Sequence, residues 1–291
     1  MTEEGDISVN RKEIITKVKR ALVDAGSTFR CDQKQVYRDA IEKEQVPAAK
    51  WVLESILDNA EVAEKNLGPL CDDTGIPHLI LEIGTNRTIN GELLEAINCG
   101  ISAGLDELPG RPMAVLGDDM QRLDQSQGLD SKGSALVPAP LIIKPIKEDV
   151  IRLHILMLGG GPAIRAKTYR VFHKRNSKVV ADSIIDWAIQ DIGNLGCTPS
   201  TLAVGVGRSH FEASSMMIQA MAYGQFDKQS EMEKYITQQV NKSDVGPLGL
   251  HGNCTALATF MRVGPQRASG IRVVCLRPCC CFEPRRATVE L

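Results

Sequence analysis

The chain has 291 residues, enough for one large domain or two ordinary ones. Its 43% hydrophobic and 24% charged residues match globular averages, and a net charge of −2 removes any bulk electrostatic case for nucleic acid or an anionic membrane as partner. No apolar run approaches the roughly 20 residues that span a bilayer, and the acidic start MTEEGDISVNRKEIITKVKR lacks the apolar stretch of a secretory signal, so the expected compartment is the cytoplasm.

In chain order, residues 11–26 place Ile14, Ile15, Val18, Ala21, Leu22 and Ala25 at helical spacing, with Gly26 as a stop. Trp51, Val52, Leu53, Ile56, Leu57 and Ala60 form a wide apolar stripe on a further helix, so the chain is predicted helical to about residue 65. HLILEIG (78–84) and RLHILML (152–158) read as strands that end near glycine. Between them, residues 108–141 are rich in Gly, Pro, Asp and Ser and predict a loop-rich, substrate-facing or mobile excursion. VVADSIIDWAIQDIG predicts an amphipathic helix ending at Gly193, and TLAVGVG a buried strand running into a turn. HFEASSMMIQAMAYG and QSEMEKYITQQVNKS predict two more helices, and IRVVCL a last short strand. Helices and strands are interspersed without repeats, so the expected fold class is mixed α/β (α+β). The expected organisation is one domain over 1–291, a helical N-terminal region packed on a sheet-containing core.

Nine cysteines in a reducing compartment argue for metal binding or catalysis over disulfides, with inert buried thiols as the simpler account of several. In CDDTG, Cys71 suits a thiolate ligand, while Asp72 and Asp73 suit substrate hydroxyls or proton transfer. A polar turn whose aspartates cap backbone amides explains the same residues, and composition alone favours it. In MLGGGPAIRAK, Gly159, Gly160 and Gly161 follow a strand, where bare amides approach an anion closely, and Arg165 and Lys167 suit a carboxylate. A tight strand exit is the plain alternative, and no GxGxxG or GK[ST] supports a nucleotide. In NLGCTPSTLAVGVGRSHFEAS, Cys197 precedes a strand, and Arg208, Ser209 and His210 fall at the turn after it, with donors for a ligand above the strand. A helix-cap role is the simpler account of His210. In CLRPCCCFEPRR, four cysteines lie between 275 and 281. Strand neighbours alternate faces, so one or two of the three adjacent thiols would do chemistry. No compact CxxC pair marks a structural zinc site. Arg285 and Arg286 would favour the thiolate or grip a dicarboxylate, and an oxidation-prone tail is the alternative.

Cys71, Cys197 and one of Cys279–Cys281 are far apart in sequence, each in a loop near glycine or proline, the pattern of ligands gathered from separate loops. Three thiolates on a 4Fe–4S cluster leave one iron open, and an open iron is a Lewis acid for a substrate hydroxyl and carboxylate.

At these residues the chain resembles the class I iron–sulfur fumarate hydratases and the alpha subunit of L-tartrate dehydratase over nearly its whole length. EKEQVPAAKWVLESILDNAEVAEKNLGPLCDDTGIPHLILEIG is similar to the family's entry segment, where Cys-Gln-Asp-Thr-Gly is usual. GGG at 159–161, GCTPSTLAVGVG and GPLGLHGNCTALATFMRVGPQRAS follow in family order, and CFEPRRA is similar to its closing Cys-aromatic-x-x-Arg-Arg stretch. The resemblance implies a 4Fe–4S cluster on Cys71, Cys197 and Cys281, the last chosen because it alone precedes the aromatic and the arginine pair at the family's spacing. Cys279 and Cys280 would then pack against or shield the cluster. It also implies Asp73 as the acid that supports a threonine base and Arg111 as the holder of a substrate carboxylate. Asp72, Gly160, Arg208 and His210 are the further substrate-binding candidates.

The family's threonine base, further arginines and a lysine lie in a second domain, and nothing here follows Leu291. The resemblance therefore implies a separate beta subunit that completes the site, a small dicarboxylate substrate and a homo- or hetero-oligomer. Departures from the pattern are Asp72 for Gln, GGGPAIRAK for a Gly-Gly-Gly-Ser-Glu loop, GVGRSHFEAS for a Gly-Ile-Gly-Gly turn, and Gln266 or Arg267 for a histidine. They bear on which hydroxy acid is read, because a buried polar group discriminates strongly by one hydroxyl. The expected activity is a hydro-lyase that takes water from malate or tartrate. A non-catalytic 4Fe–4S or redox-sensing protein on the same scaffold, and zinc held by the terminal thiols, are the competing expectations.

Overall fold

A computed structural model describes residues 11–291. The first ten residues, part of the start read above as no secretory signal, lie outside the described residues. The helices are α1 (Arg11–Ser27), α2 (Cys31–Lys43), α3 (Pro47–Asn66), α4 (Gly91–Glu107), α5 (Asp119–Asp124), α6 (Gly160–Arg165), α7 (Ser177–Ile192), α8 (His210–Tyr223) and α9 (Glu231–Val240). The strands are β1 (Ile76–Gly84), β2 (Ile142–Ile146), β3 (Ile151–Leu158), β4 (Lys167–Phe172), β5 (Ser200–Gly207), β6 (Ala256–Val263), β7 (Ile271–Cys279) and β8 (Arg285–Glu290). Mixed α/β is thus the fold class. The chain packs as two compact units, one from residues 11–26, 72–157 and 286–291, the other from 27–71 and 158–285.

The first unit is built on a four-stranded sheet in the order β2-β1-β3-β8. β1 and β2 run parallel, with Ile80 opposite Ile142. Val18 and Leu22 of α1 and Ile97 and Ile101 of α4 bury their apolar stripes with Leu81, Leu153 and Ile155 of the sheet. Asn90 caps α4 by accepting from the Leu93 N–H at 2.9 Å. The 108–141 excursion is mostly irregular, as its composition predicts, apart from short α5 and one 3₁₀ turn.

The second unit holds a sheet in the order β4-β7-β5-β6, with β5 parallel to β6 and antiparallel to β7. All eight residues of β5 are buried. Ile184 and Ala188 of α7 and Ile236 and Val240 of α9 pack with Leu202, Val204 and Leu276. Tyr37 and Leu53 of α2 and α3 pack in a separate cluster with Phe29, Phe260 and Cys281.

Several expected elements shift. Trp51 stands out of the α3 stripe, 65% exposed, while Val52, Leu53, Ile56 and Leu57 are buried. The strand predicted at IRVVCL continues to Cys279 and is not the last, because β8 follows it. Among the described residues no helix is long and apolar enough to cross a membrane.

Candidate functional site

Three loops of the second unit carry the three cysteines picked out above. Cys71 follows α3, where the Asn59 side-chain amide donates to the Leu70 carbonyl at 3.1 Å. Cys197 lies between α7 and β5, and Cys281 in the turn after β7. The Cys281 N–H donates to the Cys197 carbonyl at 3.0 Å, which ties two of the loops directly. The buried Tyr37 hydroxyl donates to the Cys281 carbonyl. Phe29 stacks on Tyr37 at 5.5 Å and meets Phe282 at 6.0 Å, so an aromatic wall backs the turn. Burial pushes the Cys281 thiol up, reinforced by the neighbouring thiols of Cys280, Cys197 and Cys71. The three predicted ligands are thus within electrostatic reach of one another, with Cys197 exposed, Cys71 half-buried and Cys281 buried.

The thiol trio does not lie along a strand. β7 ends at Cys279, whose buried sulfur points to the Met221 sulfur at 3.5 Å, while Cys280 and Cys281 belong to a turn closed by the Glu283 N–H on the Cys280 carbonyl. Face alternation therefore does not select among them. The arginines do not make a thiolate here either. Burial pushes Cys280 up to about 12, and the opposing pull of Arg285 is the weaker effect. Arg286 belongs to the other unit, where its charge acts on His154.

Among the described residues no group of three His, Cys, Asp or Glu side chains converges as for a single metal ion. A zinc ion draws each sulfur to about 2.3 Å of one centre.

The glycine stretch holds an anion, but it is the protein's own. The Gly159 N–H donates to Glu283 Oε1 at 2.6 Å, and Arg277 Nη2 donates to the Gly159 carbonyl at 2.9 Å and to Glu283 Oε1 at 2.9 Å. Arg277 and Glu283 are buried, and they clamp β7 and Gly159 to the turn that carries Cys281. Gly160 opens α6, and Lys167 is paired with the buried Asp191, so these residues are engaged internally. The sequence reading missed the clamp. Its only signal was an Arg and a Glu flanking the cysteine run.

In the first unit the aspartates form the capped turn that composition favours. Asp72 Oδ1 accepts the Asp73 N–H at 2.9 Å, and Asp73 Oδ1 accepts the Gly75 N–H at 3.0 Å, as in a capped turn. The Arg111 N–H donates to the Asp72 carbonyl at 2.7 Å, and its guanidinium pairs with Asp72 Oδ2 at 3.0 Å. Asp72, Asp73 and Arg111 therefore lie together. Gly110 packs on buried Thr74, whose Oγ1 has no hydrogen-bond partner among the described residues, and a Cβ there would collide with that oxygen.

Arg208 and His210, named above as substrate-binding candidates, do not stand near the cysteines. Cys197 precedes the start of β5 and Arg208 follows its end, and seven residue steps at roughly 3.3 Å each separate Ser200 from Gly207 by about 23 Å. Arg208 is held by Glu212, with Nη2 2.7 Å from Oε1. His210 is the first residue of α8, and the cap is its neighbour Ser209. Gln266, which with Arg267 is one of the two candidates for the place of the family's histidine, donates to the Gly264 carbonyl at 2.9 Å and also lies past the β6 end.

Comparisons with known proteins bear on the family of the chain. A chain from Methanocaldococcus jannaschii, provisionally described as L(+)-tartrate dehydratase subunit alpha, is 26% identical over 268 residues, 88% of this chain and 90% of that one. L(+)-tartrate dehydratase subunit alpha of Escherichia coli K12 is 22% identical over 253 residues, 82% of this chain and 78% of that one. The same subunit of E. coli UTI89 is 22% identical over 255 residues, 83% and 78%. The model of the Fumarate hydratase (Fumerase) family matches residues 15–290, and on that match over almost its full length the chain belongs to the fumarate hydratase family, a family of hydro-lyases.

Proposed function

We propose that the chain is the alpha subunit of an iron–sulfur hydro-lyase, acting on a 2-hydroxy dicarboxylate such as malate or tartrate. The observation that carries this reading is that Cys71, Cys197 and Cys281, from three loops of one unit, lie within electrostatic reach of one another, with the Cys281 N–H on the Cys197 carbonyl at 3.0 Å. These three residues would hold a 4Fe–4S cluster. When bound, such a cluster supplies an open iron that acts as a Lewis acid toward a hydroxyl group. Arg111 binds a substrate carboxylate through its guanidinium, exchanging Asp72 for the substrate in an exposed pair. Asp73 orients the base that takes the proton from the carbon next to the hydroxyl-bearing one. That base belongs to a second subunit, in keeping with relatives named as subunit alpha. The overall change breaks one C–O and one C–H bond, forms the alkene and releases water.

Anaerobic purification tests the reading. Brown protein with iron and acid-labile sulfide is expected, and Cys71→Ser, Cys197→Ser and Cys281→Ser should each lose it while Cys279→Ser and Cys280→Ser retain it. Colourless protein holding stoichiometric zinc would overturn the cluster. Rapid hydration of fumarate by the cluster-loaded chain alone would overturn the need for a second subunit.

A further inference from the structure

The second unit has a cavity of about 450 Å³ at the end of its sheet away from the cysteines. Its floor is apolar, from Val180 and Ala181 of α7, Val206 of β5, Met261 of β6 and Met232 of α9. It opens where the parallel strands β5 and β6 end, the side of an α/β sheet on which ligands bind. Its size is that of a small-molecule site. No acidic side chain lines it, whereas Arg175 and Arg272 both do. Arg272 spends Nη1 on the Ser269 and Ile271 carbonyls, and among the described residues neither arginine forms an ion pair.

The backbone that carries Arg175 is itself unusual. Lys174 and Arg175 are consecutive non-glycine residues with φ of 47° and 56°, in a turn closed by the Asn176 N–H on the His173 carbonyl at 2.8 Å. Such a turn ordinarily uses Asn-Gly, because side chains are strained in the left-handed region. His173 holds it in place. Its Nδ1 accepts the Arg175 N–H at 3.0 Å, and its Nε2 donates to the Ser269 carbonyl at 2.8 Å. A strained conformation held this firmly points to a role for the side chain it presents.

We infer that this cavity binds an amphipathic anion, an apolar body of medium length with one oxyanion head, seated on the α7–β5–β6 floor and gripped by Arg175 and Arg272. A guanidinium fork recognises a carboxylate or a phosphate by the same paired donors. The site is separate from the cysteine loops and independent of their reading.

Titration calorimetry on the full chain with octanoate, octyl phosphate and octan-1-ol tests it. Saturable binding of either anion at one per chain, at least tenfold tighter than the alcohol, is expected, and the tighter of the two identifies the head group. Octan-1-ol binding as tightly as both anions, or no saturable binding of either anion, overturns the site. The double variant Lys174→Asn/Arg175→Gly should melt no lower than the parent, since it relaxes the turn, yet bind the preferred anion at least tenfold more weakly. Unchanged affinity, or a lower melting temperature, would overturn the functional account of the strained turn. Arg272→Ala is expected to weaken anion binding severalfold and leave octan-1-ol unaffected, and equal affinity for the anion would likewise count against the grip.

Discussion

Two arginine–carboxylate pairs in this chain have opposite surroundings. The side chains of Arg277 and Glu283 are 5% and 0% exposed, while those of Arg111 and Asp72 are 61% and 73% exposed. The nearest N···O distances are similar, 2.9 and 3.0 Å. Water decides what each can do. A buried pair cannot lose one partner without stranding the other charge, whereas an exposed pair contributes about 0–1 kcal/mol and exchanges readily. The first is suited to holding a turn still, and the second to releasing an arginine to a ligand.

Breaking the buried pair is the largest effect to expect. Glu283→Leu should cost about 3–5 kcal/mol in urea unfolding, because Arg277 and the Gly159 N–H both lose their partner. The double variant Arg277→Met/Glu283→Leu should recover much of that loss, since no charge is then stranded. A single-variant cost below about 1 kcal/mol would erase the contrast between the two pairs. Iron content in the same variants separates the clamp from general stability. If the clamp positions Cys281, the double variant should fold well and still load iron poorly.

Gly110→Ala comes next. The new methyl group would meet Thr74 Oγ1 beneath the turn that carries Arg111. Overpacking of this kind costs about 1–3 kcal/mol. Thermal unfolding with and without Thr74→Ala checks it, because the second change makes room, and an unchanged penalty in the pair would place the strain elsewhere.

What the sequence revealed follows from what each element buries. α1, α3, α7 and α8 announce themselves because apolar side chains recur along one face. α2 does not, since within it only Gln33 and Tyr37 are buried. α4 has a good stripe in Leu93, Ile97, Ile101 and Leu105, but Gly100 and Gly104 interrupt its pattern. Those glycines are there for packing, as a Cβ on Gly100 would fall 2.6 Å from Val18 Cβ of α1. The three cysteines proposed as ligands were legible as loop residues near glycine and proline. Arg208 and His210 were misplaced because sequence shows that residues flank a strand but not how far apart its two ends lie. The Arg277–Glu283 clamp was hidden because burial of a charge is a property of the fold.

A smaller, pH-dependent effect belongs to His154. Burial holds its pKa below the ordinary 6.5, outweighing Glu82 at 3.2 Å. His154 Nε2 lies 3.2 Å from Glu82 Oε2, and its Nδ1 is 2.8 Å from the Thr288 hydroxyl. The unfolded chain therefore takes up this proton at a higher pH than the native chain does. As pH falls below about 6.5, unfolding binds a proton and stability declines, whereas above it the residue contributes no slope. The decline should level off below the native pKa. His154→Gln should flatten this part of the unfolding profile, and an identical slope in parent and variant would assign the titration elsewhere.

Asp72→Gln restores the residue usual in the resembled family and frees Arg111 from its exposed partner. Stability should change by no more than about 1 kcal/mol, as for other surface pairs. Function is where this variant should show. If Arg111 binds the substrate as proposed, a dicarboxylate must displace Asp72 to reach the guanidinium and then meets that negative charge beside it. Without it, both obstacles disappear. In the enzyme with its second subunit, KM for the dicarboxylate should fall severalfold in the variant while kcat changes less, because the interaction gained is already made in the bound ground state. The gain should shrink as salt is raised, since added ions screen both the pair and the repulsion. A KM that is unchanged at low salt would mean that Arg111 does not meet the substrate, and the exposed pair would then be an ordinary surface contact.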